Sequence, residues 1–284
     1  MSPVQPLPLV ISIQSQVAFG HVGNSAAAFP MRACGIEVVE VPTTLLSNHP
    51  HYPTTRGRVL ATDLVDDLFT GLIERGLHKR ASVVLSGFLG RAKTAEATAM
   101  FVRRAKAENP NLVYACDPVM GDVDLGFFAD QPLRNAFIQD LVPLADVILP
   151  NAFELSALSG LEISGKEDVI HARKALRCPA IVATSITNPY PDRLATVIAT
   201  EGRCISLDVQ RLPLRPAGTG DLLSGLTVAR LALGHDLESA VTNAVAGVNA
   251  VLQHTSTHVW AEMPITALLH SILEAEACNV MAVT

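Results

Sequence analysis

Residues 82–116 have the sequence SVVLSGFLGRAKTAEATAMFVRRAKAENPNLVYAC, which predicts a strand, a helix and a second strand. The apolar runs 82–85 and 112–116 suit buried strands. The segment 92–108 has the length and mixed polarity of a helix, and Asn109-Pro110 ends it. This order predicts a βαβ unit, whose two strands are parallel and whose helix covers one face of the sheet.

Other short apolar runs extend this pattern in both directions, at residues 9–13, 36–41, 146–149, 180–184 and 194–199. Because helix-sized segments separate most of them, we expect buried parallel strands. The sequence therefore predicts an α/β fold, a three-layer α/β/α sandwich with a central, mostly parallel sheet. No repeat or linker divides residues 1–284, which predicts a single domain. Ligands bind beyond the carboxyl ends of such strands, so we expect the functional residues there.

The composition argues against several classes of protein. The chain has 49% hydrophobic and 17% charged residues, enough apolar material for a sizeable core. Its net charge is −6 and it has no basic run, so we expect no nucleic-acid partner. The N-terminal segment lacks a positively charged region, and no apolar stretch reaches the about 20 residues that span a bilayer. We therefore expect no membrane partner and a cytoplasmic location, and we expect the five unpaired cysteines to be core residues.

The string Arg215-Pro-Ala-Gly218-Thr219-Gly220-Asp221 precedes an apolar helical segment, 222–233. Its glycines let the backbone N–H groups converge at the start of a helix, where they form an anion site. The Asp221 carboxylate falls in the first helical turn and can accept a proton from an attacking hydroxyl. A base beside an anion hole is what phosphoryl transfer requires. A tight turn in which Asp221 only caps the helix would have the same sequence, so the string by itself leaves both interpretations open.

Two other glycine-containing strings match phosphate loops less well. The string Gly160-Leu-Glu-Ile-Ser-Gly165-Lys166 has P-loop spacing, but Glu167 stands where a Mg²⁺-binding hydroxyl belongs. A helical segment rather than a strand precedes it, so we interpret it as a helix end and a turn. The string Gly20-His-Val-Gly23 has only part of the dinucleotide-binding fingerprint, which disfavours an oxidoreductase.

Acidic residues follow two of the predicted strands. The run 112–116 leads into Asp117-Pro-Val-Met-Gly-Asp122, and the run 146–149 leads into Pro150-Asn151-Ala-Phe-Glu154. Carboxylates on neighbouring loops suit Mg²⁺, which takes its other ligands from water and nucleotide oxygens. Each string alone is also typical of a turn or a helix start. Their occurrence together with residues 218–221 favours a site for Mg²⁺ and the phosphates of ATP.

With these strings the chain resembles the pyridoxal, pyridoxine and pyridoxamine kinases of the ribokinase-like superfamily. The matching motifs are Ser12-Ile-Gln-Ser15-Gln-Val-Ala-Phe19-Gly20-His-Val-Gly23-Asn24-Ser25, Val41-Pro-Thr-Thr-Leu-Leu-Ser47-Asn48-His-Pro-His51-Tyr52, Ser86-Gly87-Phe88, Asp117 to Asp122, Asn151 with Glu154, Thr184-Ser185, and Gly218 to Asp221. The first two are specific to the vitamin B6 kinases, and the later ones occur across the superfamily. The resemblance implies a ribokinase-like fold and phosphorylation of the 5'-hydroxymethyl of a B6 vitamer by ATP. It also implies Mg²⁺ as cofactor, a homodimer and a mobile flap over the active site.

The resemblance also implies roles for individual residues. Asp221 matches the catalytic base, and Gly218, Thr219 and Gly220 match the anion hole. Asp117 and Glu154 match positions that organise Mg²⁺ and the ATP phosphates. The other matches to nucleotide positions are Asp122, Asn151, Thr184 and Ser185. The substrate pocket is matched by Ser15, Val22, His51 and Phe88, together with Asp221.

A few residues depart from the family pattern. Phe88 stands where many members have tyrosine, Leu149 where several have threonine, and Phe127 and Phe128 where tyrosine is common in the flap. These departures leave the preferred vitamer and the affinity for ATP open. The need for a monovalent cation such as K⁺ is also open. Two alternatives also stay open. One is a kinase for another small hydroxymethyl compound, such as hydroxymethylpyrimidine or a sugar, and the other is a non-catalytic B6-binding protein.

Overall fold

The computed structural model describes residues 6–258, 261–275 and 280–282. The strands in these residues are β1 (Leu9–Val17), β2 (Glu37–Leu46), β3 (Gly57–Val59), β4 (Ala81–Ser86), β5 (Val113–Cys116), β6 (Gly121–Asp122), β7 (Gly126–Phe127), β8 (Val147–Ile148), β9 (Ala180–Thr187), β10 (Arg193–Thr200), β11 (Arg203–Gln210) and β12 (Val280–Ala282). The helices are α1 (Asn24–Ala33), α2 (Thr62–Glu74), α3 (Leu77–Arg80), α4 (Ala92–Glu108), α5 (Gln131–Ala136), α6 (Ala152–Ser159), α7 (Lys166–Leu176), α8 (Thr219–Ala232), α9 (Leu237–Leu252) and α10 (Leu269–Glu274). A π-helical turn (Phe137–Leu141) and a 3-10 turn (Val142–Leu144) continue α5.

One large sheet organises the chain. Its strand order is β12-β11-β10-β9-β8-β5-β4-β1-β2-β3, and the neighbours from β2 to β9 pair in parallel. In the opening βαβ unit, Val83 of β4 lies opposite Val113 of β5, and α4 connects the two strands. The prediction of an α/β fold with a mostly parallel sheet is confirmed.

The strand at residues 194–199 is present, but the prediction that it is parallel is wrong. It lies in β10, which pairs antiparallel with both β9 and β11. Residues 188–192 and 201–202 make these connections, and a connection so short cannot contain the helix that a parallel crossover needs. The short strand β3 and the strands β11 and β12, which extend the sheet beyond β10, were not predicted.

Helices cover both faces of the sheet. Alternate residues of β1 point to opposite faces, so that Ile11 and Ile13 join one apolar cluster and Val10 joins the other. The first cluster includes side chains of α2, α4, α5, α6 and α7, and the second includes side chains of α1, α8, α9 and α10. The three-layer prediction is therefore confirmed.

The cysteines and the helices agree only partly with the expectations from composition. Cys116 and Cys178 are buried, whereas Cys34 and Cys204 are partly exposed and so are not full core residues. Cys278 lies outside the described residues. In the part of the chain that the structure describes, every helix is too short or too polar to cross a membrane.

Candidate active site

The turn at residues 218–221 opens α8. Gly218 precedes the helix with a left-handed backbone (φ 82°), and Asp221 lies in the first turn. A Cβ atom on Gly218 would lie 1.7 Å from the carbonyl oxygen of His21, so only glycine fits there. The first N–H groups of a helix have no partners within it and point away from its start. The turn therefore begins a helix at the place where the sequence predicts an anion site, and the binding of an anion there stays a prediction.

The Asp221 carboxylate faces the loop that follows β1. The backbone N–H of Gly23 donates a hydrogen bond to this carboxylate. Burial raises the pKa of Asp221, and the Gly23 hydrogen bond opposes that increase. A carboxylate with a raised pKa is a better proton acceptor near neutral pH than an ordinary aspartate.

Ser15 lies on the other side of Gly23. A Cβ atom on Gly23 would come within 2.1 Å of the Ser15 carbonyl oxygen and 2.6 Å of its Oγ. Ser15 is 9% exposed and forms part of β1. The structure therefore brings Ser15, predicted to contact the substrate, into the same neighbourhood as Asp221, predicted to be the base.

Two further acids are buried beside Asp221. The Ser224 hydroxyl donates a 2.6 Å hydrogen bond to Asp117 Oδ2. Burial and, to a lesser extent, the charge of Asp221 raise the pKa of Asp117 to about 7. Burial and the charge of Asp117 raise the pKa of Glu154 well above its ordinary value. The charge of Asp221 therefore disfavours ionisation of Asp117, and the charge of Asp117 disfavours ionisation of Glu154.

Backbone donors hold Glu154 in place. Glu154 Oε1 accepts a hydrogen bond from the N–H of Met120 (2.9 Å), and Oε2 accepts one from the N–H of Asn151 (2.9 Å). The Asn151 side chain in turn accepts from the N–H of Glu154, which completes a capping box at the start of α6. The motif therefore fixes a buried carboxylate at the end of β8, where the sequence places it.

The acid cluster fits a divalent cation that also binds phosphates. Among residues 6–258 and 261–275, no group of three or more His, Cys, Asp or Glu side chains is arranged to hold a metal ion alone. Mg²⁺ typically takes one or two carboxylates and completes its octahedron with water and phosphate oxygens. Asp117 and Glu154 match this requirement.

The other predicted nucleotide residues lie at the same edge of the sheet. Asn151 forms a parallel bridge with Thr184, whose N–H donates to the Pro150 carbonyl (2.9 Å). Ser185 is exposed and has a left-handed backbone (φ 57°), which is uncommon for a residue other than glycine. Asp122 is paired with Arg215, whose Nη1 lies 3.2 Å from Asp122 Oδ1.

The predicted pocket residues lie on neighbouring loops. Val22 is partly buried between His21 and Gly23, and the Phe88 ring lies 6.1 Å, centroid to centroid, from that of Phe128, just after β7. The His51 N–H donates to His49 Nδ1 at 3.3 Å. Within the described residues, neither His51 nor Phe88 hydrogen-bonds to residues 218–221. The assignment of these two side chains to a substrate pocket therefore stays a prediction.

Comparisons with known proteins identify the family. Residues 60–265 match the family model described as phosphomethylpyrimidine kinase. The chain is 36% identical over 270 residues to pyridoxal kinase PdxY of Rubrobacter xylanophilus, covering 93% of each chain. It belongs to the pyridoxal kinase family.

Solved structures of pyridoxal kinases share the fold. The pyridoxal kinase of Leishmania donovani in complex with ADP and pyridoxamine is 26% identical and superposes with a TM-score of 0.90, over 97% of this chain and 99% of that chain. The pyridoxal kinase of Entamoeba histolytica superposes with a TM-score of 0.91, over 98% and 100% of the two chains. Its 24% identity shows similarity of fold alone. The recognition of a ribokinase-like pyridoxal kinase is confirmed.

Some residues at this pyridoxal kinase site were not predicted. Ser224 could have been found, because it lies three residues after Asp221 and therefore on the same face of α8. Glu262 had no such signal, since it belongs to no motif and lies far along the chain from the residues it contacts. His49 also belongs to this group, since its side chain is 1% exposed and its Nε2 lies 3.0 Å from Glu262 Oε1.

Without metal, Asp117→Asn is expected to stabilise this pyridoxal kinase at alkaline pH. The folded-state pKa of about 7 lies above the ordinary value of 3.8, so between these values the folded state keeps a proton that the unfolded state loses. The free energy of unfolding therefore falls as the pH rises from about 4 to about 7, by up to roughly 4 kcal/mol for such a difference. Asparagine cannot ionise and avoids this loss.

Urea unfolding in EDTA at pH 5 and pH 8 measures the effect. The variant should gain stability relative to the wild type at pH 8 and gain less at pH 5. Asp192→Asn, in an exposed turn, is the matched control and should change little at either pH. An equal effect of Asp117→Asn at both pH values would contradict the raised pKa.

Proposed function

We propose that this protein transfers the terminal phosphoryl group of ATP to the 5'-hydroxymethyl of pyridoxal, pyridoxine or pyridoxamine. The observation that carries this function is the position of Asp221, which lies beside the glycine turn of α8 and is joined through Gly23 to Ser15. Relatives named pyridoxal kinase and the ADP-bound kinase with pyridoxamine support both the nucleotide and the vitamer. The prediction of an ATP-dependent pyridoxal kinase is thus confirmed, and the roles of individual residues are our proposals.

In the proposed mechanism, Asp221 accepts the proton of the hydroxymethyl group as its oxygen attacks the terminal phosphorus of ATP. Backbone N–H groups of Gly218, Thr219 and Gly220 stabilise the charge that spreads over the equatorial phosphoryl oxygens. The turn is fixed by its contact with His21 before any substrate arrives, so the donors need no reorganisation during the reaction. The bond from the terminal phosphorus to the bridging oxygen of ATP breaks, and ADP leaves.

Asp117 and Glu154 would hold Mg²⁺ together with the ATP phosphates. Bound there, the ion would neutralise negative charge on the phosphates and orient them for in-line attack. Asn151, Thr184 and Ser185 would contact the nucleotide, and Asp122 would lie near its phosphates after separation from Arg215. Activity measured with K⁺ against Na⁺ decides whether the reaction also needs a monovalent cation such as K⁺.

We assign Ser15, Val22, His51 and Phe88 to the vitamer pocket. The main competing function is phosphorylation of hydroxymethylpyrimidine, because the matching family model carries the phosphomethylpyrimidine kinase description. Both functions use the same phosphoryl-transfer residues and differ only in the ring that occupies the pocket.

An ADP-production assay with pyridoxal, pyridoxine, pyridoxamine and hydroxymethylpyrimidine tests the proposal. We expect kcat/KM for the best B6 vitamer to exceed that for hydroxymethylpyrimidine by at least an order of magnitude, since a pocket built to hydrogen-bond one ring rejects another strongly. A preference for hydroxymethylpyrimidine would support the competing kinase. Absence of ADP production with every vitamer would favour a non-catalytic B6-binding protein.

The same proposal includes a cytoplasmic homodimer. What supports the dimer is the family resemblance together with exposed apolar side chains near one edge of the sheet. Phe19 is 62% exposed and Leu45 is 45% exposed, and the Phe19 N–H donates to Ser47, two residues after Leu45. Apolar side chains exposed side by side are typical of an interface between copies.

A further inference from the structure

Glu262 lies at the centre of a polar cluster beside the proposed site. Its Oε2 accepts a hydrogen bond from the backbone N–H of His21 (2.9 Å) and lies 3.1 Å from His21 Nδ1. Its Oε1 accepts a hydrogen bond from the Tyr52 hydroxyl (3.2 Å) and lies 3.0 Å from His49 Nε2. One carboxylate therefore joins the loop after β1 to the loop after β2, across 241 positions of sequence in the case of His21.

The four contacts of Glu262 are made by groups that donate hydrogen bonds or, as histidine nitrogens, are able to donate them. His49 Nδ1 accepts the His51 N–H, which in a neutral ring leaves the proton on Nε2, facing Glu262. The contact is close, although its angle is not that of a regular hydrogen bond. The Glu262 side chain is 18% exposed, and a carboxylate with little access to water requires such donors.

The local backbone leaves space for this carboxylate. Gly20 has φ 98°, and a Cβ atom there would lie 2.3 Å from Glu262 Oε1. A side chain at position 20 would therefore displace the Glu262 carboxylate from the backbone N–H of His21.

The contacts of Glu262 continue to the phosphoryl-transfer turn. The backbone N–H of His21 donates a hydrogen bond to Glu262, and the backbone carbonyl oxygen of His21 packs against Gly218. Two residues further, the Gly23 N–H donates to Asp221. Met263 is fully buried, and its sulfur lies 3.9 Å from the Thr219 hydroxyl. The segment at 262–263 thus touches both the loop that supports the base and the turn that forms the anion hole.

We propose that Glu262 is a positioning residue that aligns the vitamer with Asp221. It does so by fixing His21 beside the anion turn and His49 and Tyr52 beside the vitamer pocket. This inference rests on the proposed kinase function. Because Glu262 contacts the loops after β1 and β2 and is not among the hydrogen-bond partners of Asp117 or Glu154, loss of its carboxylate should impair vitamer use while the acids that organise the ATP phosphates stay in place.

The test compares Glu262→Ala and Glu262→Gln with the wild type in steady-state kinetics. We expect Glu262→Ala to lower kcat/KM for pyridoxal at least tenfold, with KM for ATP changed less than twofold. Glu262→Gln keeps an acceptor for the His21 N–H, so its kcat/KM for pyridoxal should lie between those of the alanine variant and the wild type. If the alanine variant does not fold, the glutamine variant still provides the test. Calorimetric titration with pyridoxal should show weaker binding in the same order.

Glu108→Ala is the matched control, because Glu108 also contacts a buried histidine. It lies 3.2 Å from His78 Nε2 and 2.9 Å from Lys79 Nζ, at the end of α4, away from the carboxyl ends of the strands. This control should lower thermal stability without changing either KM. The inference is overturned if the Glu262 variants match the control, losing stability while kcat/KM for pyridoxal stays within twofold. A wild-type protein that consumes no ATP with any vitamer would instead refute the proposed function, and the calorimetric titration would then still decide whether Glu262 shapes the pocket.

Discussion

Asp221→Asn is expected to lower kcat with pyridoxal by at least 100-fold, the effect typical of losing a general base. Asparagine has nearly the same shape and can still accept the Gly23 N–H, so the loop after β1 should keep its position. The amide cannot take the hydroxymethyl proton. The variant should also fold normally, because burial raises the pKa of Asp221 and a neutral side chain avoids the cost of a buried charge.

Kinetics and thermal unfolding together measure this prediction. We expect KM for ATP to change little, since Asp117 and Glu154 remain. Asp236→Asn is the matched control: Asp236 caps α9 by accepting the Ser239 N–H at 2.9 Å, and asparagine caps equally well. It should leave both kcat and the melting temperature unchanged. A kcat for Asp221→Asn within tenfold of the wild type would exclude Asp221 as the base.

Gly218→Ala is expected to destabilise the protein and nearly abolish its activity. The left-handed backbone at φ 82° costs a non-glycine residue about 1–2 kcal/mol, before any collision is counted. The added methyl would also lie 1.7 Å from the His21 carbonyl oxygen, and backbone cannot move aside as a flexible side chain can. The turn, the loop at residues 20–23 and therefore Asp221 must shift together.

Gly220→Ala is the control that separates the effect of the Gly218–His21 contact from the effect of replacing any glycine in this turn. A Cβ atom at position 220 would meet no atom within 4 Å, and Gly220 lies inside α8, where alanine is favourable. Urea unfolding should show a loss of at least about 2 kcal/mol for Gly218→Ala and none for Gly220→Ala. Equal stabilities of the two variants would contradict the close approach of Gly218 to His21.

Local sequence signals accounted for the elements that carry the chemistry. Asn151 and Glu154 are a capping box that can be recognised from their three-residue spacing, and the structure shows both of its hydrogen bonds. The P-loop-like string at 160–166 is a helix end and a turn, as interpreted, with Gly160 in the left-handed conformation and with α7 beginning at Lys166. Such features depend on neighbours within a few residues and are therefore readable in one sequence.

The sequence did not reveal the direction of β10 or the strands that extend the sheet beyond it. An apolar run indicates burial, and burial is the same for parallel and antiparallel strands. Residues 188–192 are too few to contain a crossover helix, and the antiparallel pairing of β9 with β10 follows from that short connection rather than from the apolar run.

The sequence by itself determined the parallel core of the sheet, the glycine turn before α8 and the acids at the strand ends, because each depends on periodicity or on short-range backbone geometry. Only the tertiary structure decided that Glu262 meets His21, that Asp221 raises the pKa of Asp117, and that Asp117 raises the pKa of Glu154. Those properties arise from distances between distant segments and from their shared exclusion of water, and neither quantity is encoded at any single position of the chain.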